Sequence, residues 1–531
     1  MDHFRVVFEI DDKQVLIHQG ATLVEAASRA GIILTTPCGG KGTCGKCAVL
    51  LHPSGQTVLA CQYRVHSDLR VTIPPESRLY EHKILKHGVG PVGDVEPTVV
   101  NRYRRVAGTG PVLGIAVDIG TTTVVVKLID MADGCCLGTR ASLNPQARFG
   151  DDVISRVNYA RSKMHLAEMQ TAIVDCLNKL IAGLCQHSHV EPSSIYEACV
   201  VGNTTMNHIL LQYPLAQLGV APYQAWSVDA CDVSPAQLSL DINAGGNVHC
   251  VENIAGFIGS DTVAAALAVD MAAAEETTLM IDIGTNGELV LAVQGSLYAT
   301  SCAAGPALEG ARIQHGSRAA EGAIEAVVVN GDDIALDVIA GAAPRSICGS
   351  GLIDAVAVLC DLGLLDATGR FIEHDRLGSL PEPIAARVLD SGGQSAFCLA
   401  FDPRTSQPAV ILTQRDIREM QLAKAAIRTG SRVLLNKLRL GDADIKRVLL
   451  AGAFGNYIRP ASAIRIGLLP NVPVDRVHFV GNAAASGAQT LLLSHESREK
   501  AARLAREIRY VEIAHEKEFA DIFTEAMRLS P

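Results

Sequence analysis

The stretch 113–130, LGIAVDIGTTTVVVKLID, reads as an apolar strand, a tight Gly/Thr turn and a second apolar strand. Residues 278–293, TLMIDIGTNGELVLAV, repeat that text, with Asp118 and Asp282 in equivalent positions. From Val112 onward, apolar strands alternate with amphipathic helices, the pattern of an α/β architecture. A duplicated strand–turn–strand unit in such a chain predicts two related lobes, with the two turns meeting at a cleft.

The turns also carry chemistry. Asp118 stands at the end of a buried strand beside Gly120, Thr121 and Thr122, and Asp282 stands likewise beside Gly284, Thr285 and Asn286. Backbone and hydroxyl donors at such a turn can cradle phosphate, and the adjacent acid can hold a hydrated Mg²⁺. Glu288 and Asp261 are two more acids in motif-like text; either orients a water toward a γ-phosphate, or is simply a capping or surface residue. Asp118, Asp282, Glu288 and Asp261 are therefore the candidate catalytic acids. Three further glycine-bearing segments are candidates for close backbone approach to a nucleotide: Gly202, Asn203 and Thr204; Gly349, Ser350 and Gly351; and Gly452, Ala453, Phe454 and Gly455. Each, taken alone, reads equally well as tight packing. No G-x4-G-K-S/T loop occurs, which excludes a Walker-type site.

The fifteen cysteines divide unevenly. Cys38, Cys44, Cys47 and Cys61 fall in the pattern C-x5-C-x2-C-x13-C, and the others, scattered from Cys135 to Cys398, are expected in the core. Four thiolates hold either zinc or an iron–sulfur cluster; three in one glycine-rich loop with a later fourth lie closer to the plant-type 2Fe-2S spacing than to zinc's two close pairs. Strands are expected in FRVVFEI, KQVLI, AVLLH and DLRVTIP. A helix is expected in TLVEAASRAG, with Thr22 and Glu25 as its capping pair. This β-rich unit with one helix resembles the β-grasp 2Fe-2S ferredoxins.

The chain has 531 residues, enough for about three domains at ~100–200 residues each. The expected division is a ferredoxin-like domain over 1–76, a Gly/Pro/basic linker over 77–110 and a two-lobed domain over 111–531, split near 275 and 276. A net charge of −10 disfavours nucleic acid and anionic lipid. The longest apolar stretch, 256–274, is broken by Asp261 and Asp270, so no membrane span is expected, and the N-terminus lacks the pattern of a secretory signal. A cytoplasmic location follows as the expectation. In NPQARFGDDVISR, the residues Arg148, Asp151, Asp152 and Arg156 read preferentially as structural.

The duplicated turns and the adenosine-type loop resemble the superfamily of acetate and sugar kinases, heat-shock chaperone ATPases and actin. That resemblance implies ATP between two lobes and carries over to Asp118, Gly120, Thr121, Asp282, Gly284, Thr285, Gly452 and Gly455. Across the whole chain, VDIGTTT, VGNTTMNH, IDIGTNGE, GPALEGARIQHG, ICGSGLID and LAGAFGNYI, together with the cysteine motif, resemble the reductive activators of corrinoid proteins. The resemblance implies an enzyme that uses ATP and a 2Fe-2S cluster to reduce Co(II) corrinoid in a partner protein to Co(I). It also implies an external donor to the cluster, and allows a homodimer. Competing readings are a redox-regulated small-molecule kinase, a docking protein using ATP only as a ligand, and an activator of a radical dehydratase.

Overall fold

The computed structural model describes residues 2–9, 13–30, 32, 34, 47–74, 96–108, 110–150, 152–310, 312–372, 377–378, 380–402, 404–452 and 458–529. At the N-terminus, β1 (His3–Phe8), β2 (Lys13–His18), β3 (Ala48–His52), β4 (Gln56–Leu59) and β5 (Leu69–Thr72) form one sheet in the order β2-β1-β5-β3-β4. Four of these strands match the expected ones; β4 is additional. The helix Leu23–Arg29 begins with the anticipated reciprocal cap: Thr22 N donates to Glu25 Oε2 at 2.7 Å and Glu25 N to Thr22 Oγ1 at 3.1 Å. Val6, Phe8, Ile17, Leu23, Val49 and Val71 are buried between helix and sheet.

Within the stretch read as a linker, which left room for a little local structure, one helix is described. Pro97–Ala107 is helical, with proline in its first turn, where a missing N–H costs nothing. Val100 and Tyr103, spaced i and i+3, bury one stripe of it in the core of the C-terminal unit. Glu96 precedes this helix and accepts from the backbone N–H groups of His495 (2.8 Å) and Glu496 (3.1 Å), tying it to the helix His495–Glu507.

The first lobe is built on β6 (Leu113–Ile119), β7 (Thr123–Asp130), β8 (Cys136–Leu143), β9 (Ile195–Gly202), β10 (Cys231–Val233) and β11 (Asn247–Cys250), in the order β10-β11-β9-β6-β7-β8. The second begins with β12 (Thr278–Ile283), β13 (Gly287–Val293) and β14 (Ser296–Cys302). It then carries two small three-stranded sheets, β15 (Ala323–Asn330), β16 (Asp333–Val338) and β17 (Ser346–Ile347), and β18 (Val388–Asp390), β19 (Ser395–Phe401) and β20 (Pro408–Thr413). It closes with β21 (Arg447–Ala451), β22 (Val477–Gly481) and β23 (Arg509–Tyr510), giving the order β22-β21-β12-β13-β14-β23.

The duplication seen in the text is thus a duplication of topology. In each sheet a central strand (β6, β12) pairs antiparallel with the next strand and parallel with a later one (β9, β21). These centres are covered on both faces, so their residues are almost continuously buried rather than alternating. One core, holding Ala116, Met280, Val290 and Leu449, lies between the sheets. Chain order and spatial order part company near the end: the helix Ala483–Leu493, expected in the second lobe, packs on β6, β9 and the helix Ser260–Ala268 of the first.

The ferredoxin-like domain rests against β15 and β16. Arg29 pairs with the buried Asp337 and, at 3.3 Å, with Glu325, and His3 Nε2 lies 2.8 Å from Asp337 Oδ1. Among the described residues, no helix is long and apolar enough to cross a membrane.

Candidate functional site

Antiparallel pairing on one side and parallel pairing on the other aim β6 and β12 at the same place. Their C-terminal ends deliver Asp118 and Asp282 to one cavity of about 400 Å³ between the lobes. The tight turns follow directly: Gly120 N donates to Thr123 O at 2.9 Å, and Gly284 N to Asn286 O at 3.0 Å. Across the cleft, the hydroxyls of Thr122 and Thr285 lie 2.6 Å apart. Thr285 Oγ1 also donates to Glu309 Oε1 at 2.6 Å. Asn203, which caps the helix Thr204–Leu210 through Met206 N, donates from its amide to Thr121 Oγ1 at 2.8 Å.

The floor is acidic. Asp261, at the start of the helix Ser260–Ala268, and Glu288, directly opposite Asp282 in the β12–β13 register, join Asp118 and Asp282 in the lining. Burial pushes Asp118 up to about 6, against the pull of the Asn482 amide, which donates to Asp118 Oδ2 at 3.1 Å, and of Lys127. Burial and then the charge of Asp118 push Asp282 up to about 7. The same two causes lead in raising Asp261 to about 7, while burial, followed by Asp261 and Asp282, holds Glu288 well above the usual carboxyl range. Carboxylates crowded out of water with so little compensation form a site suited to a divalent cation. Arg318 is the one cationic side chain among the described lining residues.

Of the residues expected here, Gly120, Thr121, Thr122, Asn203, Gly284, Thr285, Asn286, Gly349, Ser350 and Gly452 line the cavity beside the four acids. Gly452 takes φ +90°, and a Cβ there would sit 2.5 Å from Asp282 Oδ1, so the backbone approaches the acid as only glycine permits. Gly202, Thr204 and Gly351 do not line it, which corrects their reading. A Cβ on Gly202 would meet Ile119 O at 2.6 Å and one on Gly351 would meet Ile324 O at 2.3 Å, so both serve close packing. Thr204 spends its hydroxyl on Ala255 O, 2.6 Å away. Ala453, Phe454 and Gly455 lie outside the described residues. Glu309, Glu325 and Asn482 line the cleft unforeseen; Glu309 stands in GPALEGARIQHG, text noted for resemblance only.

Two of the four residues singled out in 144–156, Asp152 and Arg156, hold local structure. Asp152 caps the helix Val153–Tyr159 through Ser155 N, and the buried Arg156 donates to Gly150 O at 2.9 Å. Arg148 lies over the Phe149 ring, and Asp151 falls outside the described residues.

At the other end of the chain, Cys47 leads into β3 and Cys61 follows β4, both buried. Ala60 N donates to Cys47 O at 2.9 Å, which draws the two cysteine-bearing segments together. Cys38 and Cys44 lie outside the described residues. Two buried cysteines on segments joined by a backbone hydrogen bond, at the edge of an apolar core, fit as half of a four-thiolate cluster site. Elsewhere the expectation of core cysteines needs correction: Cys135 is exposed, and Cys136, Cys231 and Cys360 are partly exposed.

Profiles of known families divide the chain in the same sense as its architecture. Residues 8–66 match the 2Fe-2S iron-sulfur cluster binding domain, 113–274 the RACo middle region, and 276–531 the C-terminal domain of RACo, the ASKHA domain. The corrinoid activation enzyme RamQ of Eubacterium limosum is 33% identical, with 98% of each chain covered. The chain belongs to the RACo family. A solved structure, a reductive activator for corrinoid, iron-sulfur protein, superposes with a TM-score of 0.73 at 31% identity, covering 99% of this chain and 98% of that one. A Co(II) methylated amine-specific corrinoid protein reductase of Methanosarcina barkeri is 26% identical over 47% of this chain and 45% of its own. As a RACo-family member, the chain has a cluster-binding domain of the 2Fe-2S type and a nucleotide-binding fold of the ASKHA type, the fold class expected from the duplicated turns.

Proposed function

We propose that this chain is an ATP-dependent reductive activator of a corrinoid protein. One electron, taken from an external donor by the N-terminal cluster, passes to the partner's Co(II) corrinoid and leaves it as Co(I), the state competent for methyl transfer. The observation that carries this reading is the union, in one chain of this family, of the cluster-type domain with an acid-floored cleft between duplicated turns.

The two halves have complementary work. Plant-type clusters lie near about −400 mV. Each ~59 mV by which an acceptor lies lower makes a one-electron transfer tenfold less favourable. ATP-driven movement of the lobes assists by binding the oxidised partner in a geometry that favours its reduced product. Thr122 and Thr285, one from each lobe, are placed to grip the phosphates, while Asp118 and Asp282 would hold Mg²⁺, which supplies charge neutralisation at the phosphates when bound. Glu288 and Asp261 are the candidate groups for orienting the attacking water and taking its proton. Cys38, Cys44, Cys47 and Cys61 would hold the cluster. The setting is the cytoplasm.

Electron paramagnetic resonance of the reduced holoprotein, combined with ATP turnover in the presence of a Co(II) corrinoid protein, tests this reading. A 2Fe-2S signal with partner-stimulated phosphate release supports it. A 4Fe-4S signal, or turnover that needs a small-molecule phosphoryl acceptor instead, overturns it.

A further inference from the structure

At the edge of the first-lobe sheet, β10 and β11 pair antiparallel with Cys231 directly opposite Cys250. Opposed residues in such a pair have Cα atoms ~4.5–5.5 Å apart. A disulfide requires ~4.4–6.8 Å, so the register alone brings both cysteines within bridging distance. Both are free thiols in this structure, and the neighbouring Cys250 side chain favours the thiolate of Cys231. The Tyr213 hydroxyl acts on Cys231 in the same direction.

The two thiols differ in a way that assigns them roles. Cys231 is partly exposed and Cys250 is 2% exposed. The neighbouring Cys250 and Tyr213 side chains outweigh burial and lower Cys231, whereas Cys250 is held far above the ordinary thiol range by its proximity to Cys231 and by burial. Exposure alone would select Cys135 for reaction, yet burial of its sulfur and the charge of Asp133 raise that thiol. Cys199, in the neighbouring strand, is fully enclosed and raised to about 12.

We propose that Cys231 and Cys250 form a peroxide-oxidisable dithiol that closes to an intrachain disulfide and staples the edge of the first lobe. The Cys231 thiolate attacks one oxygen of hydrogen peroxide. The O–O bond breaks, hydroxide leaves and takes up a proton to become water, and Cys231 becomes a sulfenic acid. The Cys250 sulfur then attacks the Cys231 sulfur; the S–S bond forms as the S–O bond breaks, and the hydroxyl departs with the Cys250 proton as a second water. Overall two thiols and one peroxide give one disulfide and two waters. Disulfides of this kind, in chains whose other thiols stay reduced, are transient and regulatory.

The bridge would fix more than two strands. The segment leading into β10 carries Trp226, the only tryptophan of the chain, 57% exposed, and reaches β11's continuation where Asn253 N donates to Val228 O at 2.9 Å. Its backbone is further held by Trp226 N donating to Nε2 of the buried His208 at 3.1 Å. Trp226 emission therefore reports on closure.

The test uses reduced, cluster-loaded full-length protein, treated with limiting hydrogen peroxide, trapped with an alkylating agent and mapped by peptide mass spectrometry. The expected product is a Cys231–Cys250 linked peptide lighter by two hydrogens, opened by dithiothreitol, with a matching change in tryptophan emission. Before oxidation Cys231 should alkylate at least about fivefold faster than Cys135 at neutral pH, its larger thiolate fraction outweighing its lower nucleophilicity. In Cys250→Ser, which keeps a hydroxyl beside Cys231, dimedone should capture sulfenic acid on Cys231, and more slowly in Cys250→Ala, which removes that neighbour; Cys231→Ser should give no link and no emission change. Recovery of Cys231 and Cys250 both alkylated at peroxide doses that oxidise Cys135 would overturn the proposal, as would links formed only among other cysteines. Mapping at peptide level keeps this pair distinct from the cluster cysteines.

Discussion

Thr122 and Thr285 stand 163 residues apart in the chain, yet their side-chain hydroxyls hydrogen-bond across the cleft at 2.6 Å. Each belongs to the turn of one duplicated unit, so this single contact joins the lobes at the point where phosphates would enter. Because Thr285 also donates to Glu309, replacing it by valine keeps its shape and removes both bonds. One hydrogen bond is worth ~1 kcal/mol. Thr285→Val should therefore weaken ATP binding about five- to tenfold. Titration calorimetry checks this, and unchanged affinity would separate the turn from phosphate binding.

The acidic floor predicts a pH dependence of the nucleotide- and magnesium-free protein. Asp118 at about 6 and Asp261 and Asp282 at about 7 lie above their unfolded values because burial disfavours the charged form. A carboxyl raised in this way supports folding fully below its unfolded pKa and loses that support as pH rises through the folded one. The unliganded fold should lose stability between about pH 4 and pH 7 through these groups. At one pKa unit per ~1.4 kcal/mol, the effect of Asp282 alone is on the order of a few kcal/mol. Asp282→Asn should raise the melting temperature at pH 8 and flatten its pH profile. A lower melting temperature at pH 8 than wild type would contradict the electrostatic reading.

Arg29 and Asp337 hold the ferredoxin-like domain against β15 and β16. Asp337 is buried, and removing one partner of a buried ion pair costs ~3–5 kcal/mol because the other is left uncompensated. Arg29→Ala should release the domain, read as a larger radius of gyration in small-angle X-ray scattering, with the cluster spectrum intact. An unchanged scattering profile would mean that other contacts carry the docking.

The 2Fe-2S-type domain and the acid-floored cleft belong to separate cores, so they should fail separately. Cys44→Ser should abolish the cluster signal and leave ATP binding in place; Asp282→Ala should abolish ATP turnover and leave the cluster. Loss of both properties in both variants would refute the modular account.

Much of this site was legible because its chemistry is local: an acid at a strand end followed by Gly and Thr is a contiguous signal, and it occurs twice. Glu309 and Asn482 were not legible as cleft residues, since they reach it only through tertiary packing; the local signal Asn482 does carry, the N-cap of Ala483–Leu493, marks a helix start and not a site. Gly202 and Gly351 misled for the opposite reason: glycine serves close backbone packing as well as ligand approach, and only the position of Ile119 and Ile324 carbonyls tells them apart. The helix Pro97–Ala107 hid in basic, glycine-flanked text whose buried stripe is narrow. The return of Ala483–Leu493 to the first lobe has no local signature, because the partners that fix it there, Lys127 and Gly134 for the buried Gln489, lie more than 350 residues earlier in the chain.

The central claim is ATP-dependent reduction of a corrinoid partner. Mixing the reduced, cluster-loaded protein with a Co(II) corrinoid protein and following the visible spectrum tests it most directly. Co(I) should appear with ATP, more slowly or not at all without it, and never with Cys44→Ser. Co(I) appearing equally fast in the absence of ATP would contradict the account.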